Sequence, residues 1–149
     1  MAIGEFCNRE VVVTDRETTV AEASKLMRQH HVGDLVVVDE RDGMRIPAGI
    51  VTDRDVVVEL VALGLDPDTI TVGDIMGLEL ATVRESNGVF DTVQLMRSKG
   101  VRRVPVVSNK GALVGIVTVD DLIQLLAEEM GELSKLIARE QAVEERQRK

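Results

Sequence analysis

A chain of 149 residues, 44% of them apolar, can fill one compact core or two small halves that share one. Phe6 and Phe90 are its only aromatic residues and the net charge is −8, so neither base stacking nor a basic face for a polynucleotide is on offer. No apolar run approaches the ~20 residues of a membrane span and no signal-peptide pattern opens the chain; with a single cysteine, the expectation is a cytoplasmic protein.

The first elements follow from periodicity. Glu10 to Thr14 reads as a short β-branched strand, and Thr19 with Glu22 has the spacing of a capping box. Val20, Ala23, Leu26 and Met27 then recur at helical intervals. Leu35 to Asp39 is an unbroken apolar run bounded by acids, as in a buried strand. Arg41-Asp42-Gly43 turns the chain into a strand from Ala48 to Thr52, followed by a helix from about Asp53 to Leu63 that Gly64 ends. Asp66-Pro67-Asp68 links to a second series. There Leu80 to Val83 is a strand, Asn87 to Lys99 a helix, and Arg103 to Val107 and Leu113 to Thr118 are strands about the turn Asn109-Lys110-Gly111. A final helix carries the apolar stripe Leu122, Leu126, Met130, Leu133, Leu136 and Ile137, with a kink expected at Gly131 and fraying from Glu144 onward.

The two series are copies. Ala2-Ile3-Gly4-Glu5-Phe6-Cys7 lies over Thr71-Val72-Gly73-Asp74-Ile75-Met76, and Val20-Ala21-Glu22 over Val89-Phe90-Asp91, all 69 positions apart. Gly49-Ile50-Val51-Thr52-Asp53-Arg54-Asp55 and Gly115-Ile116-Val117-Thr118-Val119-Asp120-Asp121 stand 66 apart, so the first copy holds three extra residues, placed in an Arg41 to Pro47 loop. The unit is strand, helix, strand, strand, helix, and neither copy could cover its own sheet.

The repeated Gly-Ile-Val-Thr-x-x-Asp ends an apolar strand with a hydroxyl and opens a helix with acids. A helix start offers N–H groups and positive dipole to an anion, a hydroxyl can hold a phosphate oxygen, and a carboxylate can accept from a sugar diol. A guanidinium forks onto phosphate oxygens, which draws attention to Arg102 and Arg103. Each feature has a structural reading beside it. Thr52 and Thr118 are good N-caps, Asp55 and Asp121 are ordinary first-turn acids, and Arg102 and Arg103 could be solvated edge charges. His30 and His31 end a helix and do not suggest a metal site; Cys7, aligned with Met76, reads as a packed apolar residue. No nucleophile–base arrangement is visible, so a hydrolase acting on nucleotides has little support.

The two Gly-Ile-Val-Thr-x-x-Asp segments, together with Val101-Arg102-Arg103-Val104-Pro105-Val106-Val107 and the looser His31-Val32-Gly33-Asp34-Leu35-Val36-Val37-Val38, resemble the cystathionine-β-synthase (CBS) domain, and the tandem resembles a Bateman module. The resemblance implies an α/β (α+β) fold of two βαββα repeats, 1–66 and 67–126, related by a pseudo-twofold axis with their sheets packed together, and a helical tail over 127–149. It implies a non-catalytic regulatory module, usually a homodimer, that binds AMP, ADP or ATP ahead of S-adenosylmethionine or NAD and acts on an effector protein the sequence does not identify; no cofactor is required. Family pattern places Thr118 at a phosphate and Asp121 at ribose hydroxyls, beside Ile116, with Thr14, Gly33 and Asp34 completing that cleft. Thr52 and Asp55 do likewise in the other cleft, and Arg102 and Arg103 line the phosphate end. Gly33-Asp34 departs from Arg102-Arg103 by two cations and an added anion, so unequal sites are expected, with a preference for AMP or ADP over ATP in at least one. The competing reading is a structural or assembly module with empty clefts.

Overall fold

The computed structural model describes residues 1–77 and 79–148 of the chain. Met1–Val117 is one compact unit, and the chain from Thr118 onward is a second.

Within the first unit, β1 (Val13–Thr14), α1 (Val20–His30), β2 (Asp34–Arg41), β3 (Met44–Thr52) and α2 (Asp53–Val56) follow in order. A π-helical turn, Val57–Val61, continues α2, and a short α3 (Val72–Ile75) opens the second series. It consists of β4 (Val83–Arg84), α4 (Val89–Lys99), β5 (Arg103–Val107) and β6 (Leu113–Thr118). Each series builds a three-stranded sheet, ordered β1-β2-β3 and β4-β5-β6. The first strand runs parallel to the second in both, with Val13 opposite Val36 and Val83 opposite Val106. Thr14 opposite Val37 and Val83 opposite Val106 thus hold matching places at the 69-residue offset.

The strand alternation of β2 shows how one short element serves two cores. Leu35 and Val37 face one side and pack with Val20, Ala23, Met27, Val51, Leu60, Val72 and Ile75. Val36 and Val38 face the other and pack against Ile116 of β6, which brings the two sheets together. Successive side chains on a strand point to opposite faces, so a continuous apolar run is what a sheet covered on both sides requires. Burying each such side chain contributes about 1.5–3 kcal/mol.

The repeats also exchange their leading segments. Ile3 N–H donates to Asn87 O at 2.7 Å, and Val72 N–H, its counterpart, donates to Thr18 O at 2.8 Å. Gly4 N–H donates to Glu85 O at 3.0 Å, and Gly73 N–H to Arg16 O at 2.9 Å. These bonds, made by one copy on the other, are each returned by their counterparts, as about a pseudo-twofold axis.

Several local expectations are corrected. The three extra residues do not form a loop: β2 and β3 extend to a two-residue turn, Arg41 pairing with Met44. Asp42 (φ 53°) and Gly43 (φ 76°) both take the left-handed conformation that twists a hairpin in the same sense as its strands. A register shift between Val37 and Val38 accommodates the odd residue. The strands expected at Glu10 to Thr14 and Leu80 to Val83 are only two residues long, because only those residues have a β partner. Thr19 Oγ1 accepts from Glu22 N at 3.2 Å, half of the expected box. Helix α4 starts at Val89, two residues later than expected, with Gly88 as its cap.

The second unit is dominated by α5 (Val119–Gln147), which runs through Gly131 without interruption and on past Glu144, where fraying is expected, to Gln147; Lys149 lies outside the described residues.

Candidate functional site

The Thr52 segment is built by local physics. Thr52 is the last residue of β3 and the N-cap of α2: its Oγ1 accepts from Asp55 N at 3.1 Å, while Asp55 Oδ2 accepts from Thr52 N at 2.9 Å. This box satisfies donors that a helix start leaves unpaired. Thr118 and Asp121 make the same box at the start of α5, both bonds at 3.1 Å. Asp74 Oδ2 likewise accepts from Thr71 N at 3.0 Å, in a segment with no Gly-Ile-Val-Thr motif. The cap is therefore a structural device first. A ligand would use what it leaves over: the Thr52 O–H, still able to donate, and Asp55 Oδ1, which accepts nothing among the described residues.

Around Thr52 and Asp55 lies a cavity of about 470 Å³. Asp53 and Arg54 from the start of α2 line it, as do Leu80 and Ala81 before β4 and Gly100 to Arg103 between α4 and β5. The first repeat thus supplies a hydroxyl, two carboxylates and the Arg54 guanidinium, and the second supplies two further guanidinium groups, the Glu79 carboxylate and apolar side chains. The size falls within the ~300–1,000 Å³ of small-molecule sites.

The two repeats meet electrostatically at this cavity. Arg103 Nη1 donates to Asp34 Oδ2 at 2.7 Å, with both side chains about a quarter exposed. Asp34 and Arg103 open β2 and β5 and are counterparts, 69 positions apart, so the ion pair joins equivalent points of the two repeats. Burial pushes the Asp34 carboxyl above its ordinary range; Arg103 opposes that shift and the Asp53 carboxylate adds to it. Gly33 lies against Asp53: its carbonyl accepts from Asp53 N at 2.9 Å, and a Cβ on it would come within 3.2 Å of Asp53 Oδ2.

Of the ten residues singled out from the sequence, Thr52, Asp55, Arg102 and Arg103 line this one cavity, and Asp34 reaches it through its bond to Arg103. Ile116 is 8% exposed and packs with Val36 and Val38, while its backbone pairs with Asn8. Thr14 lines a different cavity, of about 640 Å³, with Asp39, Glu40 and Arg45; its buried Oγ1 has no hydrogen-bond partner among the described residues. Thr118 and Asp121 stand at the head of α5 in the second unit. Arg54 escaped the sequence reading because it fills a variable position of the motif, and Leu80 and Ala81 because a short irregular segment has no periodicity. Alignment of the repeats was the signal for Gly100 and Val101, which stand opposite His31 and Val32.

The CBS-domain family model matches residues 3–62 and again 72–128. The chain belongs to the CBS-domain family. An uncharacterized protein of Methanopyrus kandleri is 39% identical over 125 residues, 84% of this chain and 62% of that protein's length. Hypoxic response protein 1 of Mycobacterium tuberculosis is 34% identical over 124 residues, 83% of this chain and 84% of its own length. Among solved structures, hypoxic response protein I with two coordinated zinc ions superposes with a TM-score of 0.72 at 32% identity, covering 83% of this chain and 98% of that one. A CBS domain pair crystallised with 5′-methylthioadenosine and S-adenosyl-L-methionine has a TM-score of 0.73 at 24% identity, covering 87% of this chain and 98% of its own, and speaks for the fold alone. Among the described residues, no three His, Cys, Asp or Glu side chains of this CBS pair come together as a metal site.

Proposed function

We propose that this CBS pair is a non-catalytic, cytoplasmic sensor of adenine nucleotides, acting as a homodimer on an effector protein, with its ligand in the Thr52 cavity. The observation that carries this reading is the meeting of Thr52 and Asp55 from one repeat with Arg102 and Arg103 from the other. A nucleotide there would hold both repeats at once: phosphate on the guanidinium groups and the Thr52 hydroxyl, ribose hydroxyls donating to Asp55 Oδ1. Selective affinity for one arrangement of the repeats is what a regulatory ligand needs.

Asp34 tempers the phosphate end. A guanidinium already bound to a carboxylate has fewer donors for a ligand, and a nearby anion repels added phosphate. The reading is therefore AMP or ADP ahead of ATP, with S-adenosylmethionine and NAD behind them.

A thermal-shift panel of AMP, ADP, ATP, NAD and S-adenosylmethionine tests it, since a ligand that binds only the folded state raises Tm. AMP or ADP should give the largest rise. No rise with any adenosine compound would leave the assembly reading in possession.

A further inference from the structure

The ion pair at the head of the two middle strands is placed where a ligand must disturb it. Arg103 is among the residues lining the Thr52 cavity, and Asp34 is bonded to it at 2.7 Å from outside that lining. Asp34 and an anion in the cavity are therefore rivals for one guanidinium.

The charges around the pair make that rivalry costly. Thr52 lies opposite Asp34 on β3 and is uncharged, but Asp53, at the head of α2, sets a second carboxylate nearby. With Asp55 and Glu79 the site holds four carboxylates against the guanidinium groups of Arg54, Arg102 and Arg103, an excess of one negative charge before any ligand enters. A half-buried carboxylate that loses its cation is costly while charged and far less so when neutral. Burial already pushes the Asp34 carboxyl above its ordinary range, and Arg103 is the group that opposes the rise. An anion at Arg103 weakens that opposition and adds its own repulsion.

We propose that ligand binding in the Thr52 cavity is coupled to protonation of Asp34. The phosphate draws on Arg103, the Arg103–Asp34 bond loosens, and Asp34 takes a proton from solvent. Asp34 acts through Arg103 and does not touch the ligand. The inference rests on the nucleotide reading of this cavity and adds its regulation. The loaded chain binds more protons than the empty one, so affinity rises as pH falls toward the carboxylate range.

Calorimetric titration of AMP in two buffers of different ionisation heat, from about pH 4.5 to 7, counts the protons taken up per ligand. The AMP phosphate titrates in the same interval, so Asp34→Asn, equal in size and unable to ionise, is the reference. The parent should take up more protons than the variant; a one-unit rise in the Asp34 pKa gives an excess of about half a proton at its maximum. The variant should bind AMP about tenfold more tightly at pH 7, and this advantage should shrink severalfold by about pH 5. A purely structural role for Asp34 would leave that ratio independent of pH. Equal proton uptake, with AMP bound by both chains, would overturn the coupling and leave the nucleotide reading standing. No AMP binding by either chain would overturn both. Adenosine 5′-sulfate, whose ester stays a monoanion throughout, checks the parent without the variant: affinity should rise severalfold from about pH 7 to 5, and a flat profile would contradict the coupling.

Discussion

The two repeats share their order of elements and their exchanged backbone bonds, yet they differ at the places where each touches the other. Gly49 and Gly115 are counterparts in the repeated motif. A Cβ on Gly49 would stand 2.8 Å from Met76 Sδ, the end of a flexible side chain. A Cβ on Gly115 would stand 2.6 Å from the backbone oxygen of Asn8 and 2.7 Å from Cys7 Sγ. Asn8 is fixed by a reciprocal pair of 2.9 Å bonds with Ile116, so it has nowhere to go. Asp34 answers Arg103 at the head of the middle strand, and Thr14 stands where the second repeat has Val83. A duplicated scaffold keeps its backbone pairing, because every buried N–H and C=O must be matched, while its side chains drift toward different work.

Substitution can widen or close these differences. Gly115→Ala should destabilise the chain by about 2 kcal/mol, as overpacking against fixed backbone does, and Gly49→Ala by less than about 1 kcal/mol. Urea unfolding of the two variants gives the comparison, and equal losses would deny the asymmetry. Asp34→Ala removes the anion and releases Arg103, so ATP affinity should rise about tenfold, equivalent to ~1.4 kcal/mol, with a smaller rise for AMP. Calorimetric titration of both ligands checks the ratio; an unchanged ATP affinity would mean that Asp34 does not restrain the phosphate end. Thr14→Val copies the second repeat and removes a buried hydroxyl that has no partner. It should stabilise by up to about 1 kcal/mol, read from the same urea transitions.

The smallest effect is in pH dependence. The folded-state pKa of Asp34 is raised, so above the ordinary carboxylate value the folded chain binds more protons here than the unfolded chain. Its contribution to stability is present below that value and is lost as pH rises through the raised one. Asp39, held low by its hydrogen bonds with Arg16, and Asp74, held low by the Thr71 backbone, act oppositely: their contributions are lost as pH falls. Asp34→Asn should therefore lose stability less than the parent as pH rises from 4 to 6. Parallel curves over that interval would contradict the assignment.

Much of this architecture could be read from sequence because backbone pairing follows apolar pattern. β5 and β6 span the residues the sequence pattern assigns them, Arg103–Val107 and Leu113–Thr118, and the run Leu35 to Val38 shows two-sided burial directly. The hairpin insertion was misread as a loop because an Arg41-Asp42-Gly43 turn shows where the chain reverses but not how far the strands run on. At the site, the repeat brought Thr52, Asp55, Arg102 and Arg103 to notice. The Arg103–Asp34 bond was not legible, since it depends on where the pseudo-twofold axis falls and not on spacing within either copy.

The central claim is that a nucleotide bridges the repeats in the Thr52 cavity. Asp55→Ala and Asp74→Ala each remove a carboxylate that accepts from the backbone of a helix start, but only Asp55 lines the cavity. Titration of AMP by calorimetry should show saturable binding to the parent and to Asp74→Ala, and at least tenfold weaker binding to Asp55→Ala. Equal AMP affinity in the two variants, or no binding to the parent, would contradict the claim.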